Sequence, residues 1–148
     1  MSSKTFKCKV LVGGNASGEA LICRQAFAFD RAVDPRTGIV VDIRSEMAGA
    51  NIRGKVLFYG QSKGSTAGSS WLVEAIRLGK GPAAVVTENP DLAAVVGSCV
   101  AGILYGRTIP VLSGIDARVF SKANAKAKAG SGLLARVKGD SAEVILAG

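Results

Sequence analysis

The sequence predicts an α/β domain that is barrel-like or layered β/β/α, and three observations support this class. A β-rich N-terminal part is followed by a βαβαβ succession, and a second β-rich part follows that. Residues 83–87 are almost entirely apolar, as expected of a parallel strand that is buried on both faces. Residues 69–78 carry apolar side chains at helical spacing just before this strand. We therefore expect one domain spanning residues 1–148, because no linker or internal repeat divides the chain.

The N-terminal third contains three segments with strand-like alternation or β-branched content, separated by turns. The predicted strands are residues 5–12, 19–24 and 39–43, and the predicted turns are residues 13–18 and 34–38. In the second turn, Pro35 and Gly38 occupy positions that tight turns favour. We expect a loop at residues 44–54.

The central part alternates strands and helices. The predicted strands are residues 55–59, 83–87 and 109–112, and the predicted helices run over residues 69–78 and from Pro90 to about Gly97. In the first helix Leu72, Val73 and Ile76 share a face, and Gly79, Gly81 and Pro82 end it.

The C-terminal part predicts a short helical turn and a β-hairpin. The helical turn covers residues 116–120, an exposed cationic loop covers 123–132, and the hairpin strands are residues 133–137 and 143–146. Gly139 and Asp140 form the hairpin turn.

Composition sets the broad class of the protein. The chain has 148 residues, 48% of them hydrophobic, and no apolar run approaches the roughly 20 residues of a membrane span. The N-terminus has no apolar stretch typical of a signal peptide, so we expect a cytoplasmic protein. A net charge of +8 leaves nucleic acid open as a partner, but one Trp, two Tyr and five Phe make a poor stacking platform.

The chain has no histidine, which removes the usual general base and the commonest metal ligand. A self-contained Ser-His-Asp or Cys-His enzyme is therefore excluded. Cys8, Cys23 and Cys99 have no metal-binding spacing and lie among apolar residues, so we expect small buried thiols. We expect no metal or cofactor on this chain.

Residues 60–70 form the most informative segment, a Gly/Ser loop between a predicted strand and a predicted helix. Glycine lets the backbone approach a ligand closely, and the N–H groups at a helix N-terminus favour an anion. Ser69 or Ser70 is expected to cap the helix, and Lys63 adds a positive charge. The segment predicts a binding site for a small anion.

An ordered set of segments resembles the swivel domain of the aconitase X family. Residues 15–21 (NASGEAL) resemble its AsGeaLv opening, residues 33–42 its vDPeTGxIiD stretch, and residues 54–57 its GkvLv segment. Residues 64–70, followed by 74–76 and 81–86, resemble its GSSxGSxxlxEAIxxGxaPaAiv core, and residues 104–106 and 109–111 match the segment that follows. The resemblance covers about residues 13–115 in the family's order.

The resemblance implies a swivelling β/β/α domain that closes over a larger, aconitase-like catalytic subunit. Family members dehydrate small hydroxy acids, either cis-3-hydroxy-L-proline or mevalonate 5-phosphate, and an iron or iron–sulfur centre is expected in the large subunit. The swivel part supplies a serine that accepts a proton, and Ser65 stands at that position. We expect the rest of the loop to hold the substrate carboxylate. These predicted binding residues are Lys63, Gly64, Thr66, Gly68, Ser69 and Ser70.

Three departures from the family pattern leave the exact substrate open. Residues 27–32 replace an aromatic-Gly-Gly segment, residues 44–47 replace a His-Pro, and Lys63 replaces an Arg. The bacterial-looking Leu104-Tyr105-Gly106 favours cis-3-hydroxy-L-proline over mevalonate 5-phosphate. Two other classes of function remain as alternatives: a non-catalytic swivel-type binding domain and a basic RNA-associated protein.

Overall fold

The computed structural model describes residues 3–64, 66–122 and 132–148. Over these residues the chain forms an eight-stranded sheet, two α-helices and one 3₁₀ helix. The strands are β1 (Ser3–Lys7), β2 (Lys9–Val12), β3 (Asn15–Cys23), β4 (Val56–Tyr59), β5 (Ala84–Thr87), β6 (Val111–Ser113), β7 (Leu134–Lys138) and β8 (Glu143–Ala147). The α-helices are α1 (Ala67–Arg77) and α2 (Leu92–Tyr105), and the 3₁₀ helix is Ala117–Lys122.

The sheet closes on itself through its N-terminal segment. Its strand order is β1-β8-β7-β3-β4-β5-β6-β2, so two strands that adjoin in sequence lie at opposite edges. The strand predicted at residues 5–12 is therefore two strands, broken at Cys8, which pair with β8 on one side and β6 on the other. Because one short segment joins both edges, the sheet must curl, and the predicted barrel-like α/β class is confirmed.

The long strand β3 joins an antiparallel half of the sheet to a parallel half. Its residues from Asn15 to Glu19 pair antiparallel with β7, and those from Ala20 to Cys23 pair parallel with β4. The turn predicted at residues 13–18 is thus wrong beyond Gly14. Gly18 lies within β3, and it must be glycine because a Cβ there would lie 2.3 Å from the carbonyl oxygen of Gly54. In the sequence alone, such a glycine cannot be distinguished from a turn glycine.

Alternate side chains of the parallel strands fill two separate cores. One set points inside the curled sheet and the other packs under the two α-helices, which explains why β4 and β5 are buried throughout. The inner core includes Ala20, Ile22, Val56, Phe58, Ala84, Val86 and Leu112. The core under the helices includes Leu21, Cys23, Leu57, Tyr59, Leu72, Ile76, Val85 and Ala94.

Helix α2 is longer than the sequence pattern predicts. It continues through Gly97 to Tyr105 and ends at Gly106, which has a left-handed φ of 68°. A Cβ at Gly97 would lie 3.0 Å from Leu72 Cδ2 and 3.1 Å from the Ser69 carbonyl oxygen. Gly97 therefore lets α2 pack closely on α1, and the predicted end near this residue is wrong.

The strand predicted at residues 39–43 does not form. Ile39 and Val40 make only isolated bridges, to Asn51 and Val33 respectively. Ile43 is 90% exposed. The segment is rich in β-branched residues, but among the described residues it forms isolated bridges and no strand of the sheet pairs with it.

The other predicted elements are confirmed, with small differences at their ends. The hairpin, the strands at 55–59 and 83–87, and the helix at 69–78 correspond to β7–β8, β4, β5 and α1. The strand at 109–112 is β6, and the helical turn at 116–120 is the 3₁₀ helix. The cationic loop predicted at residues 123–132 lies almost wholly outside the described residues. Neither helix in the described part of the chain has the length and apolarity that crossing a bilayer requires.

Candidate functional site

An open pocket lies where the parallel strands β4 and β5 end and α1 and α2 begin. Its volume is about 430 Å³. The pocket is lined by Ser62, Gly64, Thr66, Ser69, Asp91, Leu92, Ala93 and Val96. The carboxyl ends of parallel strands are where α/β proteins bind ligands, and two helix N-termini meet at this point.

Three of the predicted binding residues, Gly64, Thr66 and Ser69, line this pocket. Gly68 is buried in the first turn of α1. Ser70, two residues later, is exposed. Ser65, the predicted proton acceptor, lies outside the described residues. The predicted loop therefore forms one wall of the pocket.

Helix α1 begins earlier than predicted, and this changes the role of its serines. Its N-cap is Thr66, whose side chain makes no capping hydrogen bond, and its first turn carries no acidic residue. Ser69 and Ser70 lie inside the helix, and the Ser69 hydroxyl donates to the Thr66 carbonyl oxygen at 2.8 Å. The predicted cap by Ser69 or Ser70 is wrong. The positive end of the α1 dipole therefore lies at the pocket.

The N-terminus of α2 at the same pocket is capped by a carboxylate. Asp91, only 2% exposed, caps this helix and accepts hydrogen bonds from the backbone N–H groups of Ala93 (3.0 Å) and Ala94 (3.3 Å). Its other oxygen accepts a hydrogen bond from the Tyr59 hydroxyl at 2.5 Å. The pocket is thus bipolar, with a helix N-terminus on the α1 wall and a carboxylate on the α2 wall.

Tyr59 is held as a neutral donor beneath this wall. It is fully buried, and burial raises its pKa well above 10.0, with the adjacent Asp91 charge and hydrogen bond acting in the same direction. Sequence reasoning missed both residues, since Tyr59 reads as an ordinary strand residue. An Asp directly before an apolar helix is an N-cap signature, and that signal could have identified Asp91.

Lys63, the cation of the predicted site, is already paired with a carboxylate. Its Nζ lies 3.7 Å from Asp42 Oδ2. The Asp42 pKa is lowered first by a hydrogen bond from the Arg44 backbone N–H, then by the Arg44 side chain, with a smaller contribution from Lys63. Asp42 therefore stays ionised and holds Lys63 beside, rather than among, the residues lining the pocket.

A second buried carboxylate oxygen lies behind α1. Asp30 Oδ1 is buried and has no hydrogen-bond partner in the part of the chain described. It would lie 3.6 Å from a Cβ built on Gly68. Asp30 belongs to the segment at 27–32 that departs from the family pattern, so this departure places a carboxylate against the first turn of α1.

The cysteines do not form a site, and one differs from expectation. Cys23 is buried, and burial raises its pKa to about 12; Cys8 is half-buried, and burial raises its pKa to about 11. Cys99 is exposed, so the expectation of three buried thiols is wrong there. Across residues 3–64, 66–122 and 132–148, no three His, Cys, Asp or Glu side chains form a group that fits a metal ion.

Comparison with known proteins identifies the family. The model of the aconitase X swivel domain matches residues 5–145. The chain belongs to this family. The swivel domain is 36% identical over 139 residues to the phosphomevalonate dehydratase small subunit of Pyrococcus furiosus, covering 94% of this chain and 92% of that protein.

Two further similarities extend this result. Over 103 residues the swivel domain is 38% identical to the cis-3-hydroxy-L-proline dehydratase of Pseudomonas aeruginosa, covering 70% of this chain but 18% of that protein. The crystal structure of Thermococcus kodakaraensis aconitase X (holo-form) superposes with a TM-score of 0.82 at 32% identity. That match covers 98% of this chain and 99% of the other, so the two proteins share the fold described above.

Proposed function

We propose that this swivel domain is the small subunit of an aconitase X-type hydro-lyase that dehydrates a small hydroxy acid. The observation that carries the proposal is the pocket between the N-termini of α1 and α2, in a chain whose relatives are named as dehydratases. The name of the Pyrococcus relative, a small subunit, supports a larger partner for this chain too. The activity would then require both chains.

Removal of a hydroxyl group beside a carboxylate requires a base for the α-proton and stabilisation of the enolate-like charge. In the proposal, Ser65 is the base and the N-terminus of α1 receives the substrate carboxylate. A serine accepts a proton only where nearby positive charge or N–H dipoles lower the pKa of its hydroxyl. The N-terminus of α1, which begins at Ala67, directs its helix dipole toward this part of the chain.

In the proposal, the partner subunit activates the hydroxyl group that leaves. The iron or iron–sulfur centre that we expect there would supply Lewis-acid activation of that hydroxyl. This chain would contribute the proton acceptor, the carboxylate site and the apolar wall formed by Leu92 and Val96.

The bipolar pocket favours cis-3-hydroxy-L-proline as the substrate. Its carboxylate would face the positive end of α1 and its secondary ammonium would face the wall that carries Asp91. A phosphate-bearing substrate would need a further cation, and Lys63 is not among the residues that line the pocket. Mevalonate 5-phosphate remains the second candidate, because the Pyrococcus small subunit matches this chain over nearly its full length.

The test is turnover by the complex of this chain with the large subunit from the same organism, assayed on both substrates. We expect Ser65→Ala to abolish dehydration while the complex still assembles. Ser121→Ala is the matched control, because Ser121 is exposed on the 3₁₀ helix and should leave the rate unchanged. Retained turnover in Ser65→Ala would refute the role of Ser65, and turnover of mevalonate 5-phosphate alone would overturn the substrate assignment.

A further inference from the structure

Helix α2 is apolar on both of its faces, although the described chain covers only one. The helix contains no charged residue over Leu92–Tyr105, while the whole chain has 19 Lys or Arg and 11 Asp or Glu. Its inner face buries Ala94, Gly97, Ser98 and Ala101. A helix that is apolar all round is normally buried all round, so the outer face predicts a missing neighbour.

The outer face carries a regular row of exposed side chains, which we call the α2 stripe: Leu92, Val96, Cys99 and Ile103. Their spacing of four, three and four residues places them on one line along the helix. Leu92 is 72% exposed, Val96 49% and Ile103 82%, and Cys99 is also exposed. The line is about 16 Å long at 1.5 Å per residue, and Leu104 and Tyr105 extend the exposed apolar surface at its end.

The stripe begins inside the candidate site. Leu92 and Val96 line the pocket, so whatever covers the stripe also reaches the mouth of the pocket. If a second copy of this chain covered the stripe, the pockets of the two copies would face each other. The described residues of neither copy could supply a metal-binding group to that site. A metal-bearing large subunit would instead bring the missing chemistry to the same place.

We propose that the α2 stripe is the surface on which the large, metal-bearing subunit docks against this chain. This inference rests on the proposed function and assigns a specific surface to the partner that it requires. The partner surface should be an apolar groove for Ile103 and Val96, with a carboxylate at the end near Arg107. Arg107 donates to the Arg77 carbonyl oxygen at 3.5 Å, and it takes part in none of the ion pairs found among the described residues.

The test compares Ile103→Lys with wild type in binding to the purified large subunit. Ile103 lies about three turns from Leu92, so its replacement tests docking without altering the pocket. We expect the Kd for the large subunit to rise by about 30-fold or more, because the variant would bury a charge where an exposed apolar side chain is expected to dock. At saturating small subunit, kcat should stay within about twofold of the wild-type value. Leu134→Lys is the matched control, since Leu134 is 54% exposed on β7, away from α2, and its Kd should not change.

Alkylation of Cys99 gives an independent measurement on the unmutated protein. Iodoacetamide should modify Cys99 in the free chain, and the large subunit should protect it by at least about tenfold. Circular dichroism should show that Ile103→Lys folds as wild type does, because this side chain is mostly exposed.

The outcomes separate this inference from the proposed function. The docking surface would be overturned, and the proposed function would stand, if Ile103→Lys bound the large subunit as tightly as wild type does. The same holds if Cys99 were equally reactive in the complex and in the free chain. A free chain that sediments as a dimer, dissociated by Ile103→Lys with large-subunit binding unchanged, would assign the stripe to a second copy. Wild-type chain that neither binds nor activates the large subunit would overturn the proposed function and the docking surface together.

Discussion

Replacement of Asp91 by alanine removes the acceptor of three hydrogen bonds at the wall of the pocket. The N–H groups of Ala93 and Ala94 lose their cap, which costs about 1 kcal/mol and up to about 2. The fully buried Tyr59 hydroxyl loses its partner, which costs about 1–3 kcal/mol. We therefore expect Asp91→Ala to lower the free energy of unfolding by about 2–5 kcal/mol, and the Tm by roughly 5–20 °C.

Companion variants separate the two contributions. Asp91→Asn keeps a good N-cap and should cost at most about 1 kcal/mol. Tyr59→Phe should cost about 1–2 kcal/mol alone, and Tyr59→Phe with Asp91→Ala should cost less than the sum, by about 1 kcal/mol or more. Asp30→Ala is the control for loss of a carboxylate. Because Asp30 Oδ1 is buried without a partner among the described residues, its removal should change the stability by about 1 kcal/mol at most.

The assay is urea unfolding followed by circular dichroism, with the denaturant dependence m compared between variants. An unchanged m with a lower midpoint would show that the folded state itself has been destabilised. If Asp91→Ala cost less than about 0.5 kcal/mol, or if the effects of the Tyr59 and Asp91 variants added without coupling, the reasoning from the buried pair would be refuted.

Two further predictions concern packing and alkaline pH. Gly18→Ala should cost about 2 kcal/mol or more in urea unfolding, because its Cβ would meet the Gly54 carbonyl oxygen at 2.3 Å. Gly13→Ala, with no atom within 4 Å of the new Cβ, should be close to neutral, and equal losses for the two variants would contradict the packing argument. The pKa values of Cys8, Cys23 and Tyr59 are raised in the folded chain, so above about pH 8.5 the unfolded chain binds fewer protons than the folded one. The urea midpoint should therefore fall as the pH rises from 8 to 10.5, and Cys23→Ala should weaken this fall; a midpoint independent of pH would refute the assignment of raised pKa values.

The elements that the sequence predicts well are those whose local pattern and tertiary role agree. Strand β5 is apolar throughout because both of its faces are covered, and the run at residues 83–87 shows this directly. The segment at 39–43 shows the opposite case, because β-branched residues indicate extended backbone but not whether a neighbouring strand pairs with it. Gly18 and Gly97 suggest a turn and a helix end in the sequence, but each lies inside a regular element. Each is glycine because a Cβ would come too close to a neighbour, the Gly54 carbonyl oxygen or the Leu72 side chain.

The candidate site was predictable on one side only. The Gly/Ser loop at 60–70 can be recognised from consecutive residues of the sequence, and its residues Gly64, Thr66 and Ser69 line the pocket. The opposite wall comes from the loop after β5 and the start of α2, about 25 residues later in the chain. The parallel pairing of β4 with β5 and the packing of α1 on α2 bring these segments together. The role of Tyr59 depends on its contact with Asp91, and no local pattern encodes that contact.

The most direct test of the proposed function is reconstitution of dehydration from separately purified chains. Titration of this chain into a fixed amount of large subunit, with cis-3-hydroxy-L-proline as substrate, should produce no activity from either chain alone. Activity should then rise to a plateau at a one-to-one ratio, and Ser65→Ala should give no activity at any ratio. A large subunit that is fully active without this chain, or a mixture that dehydrates neither this substrate nor mevalonate 5-phosphate, would contradict the account.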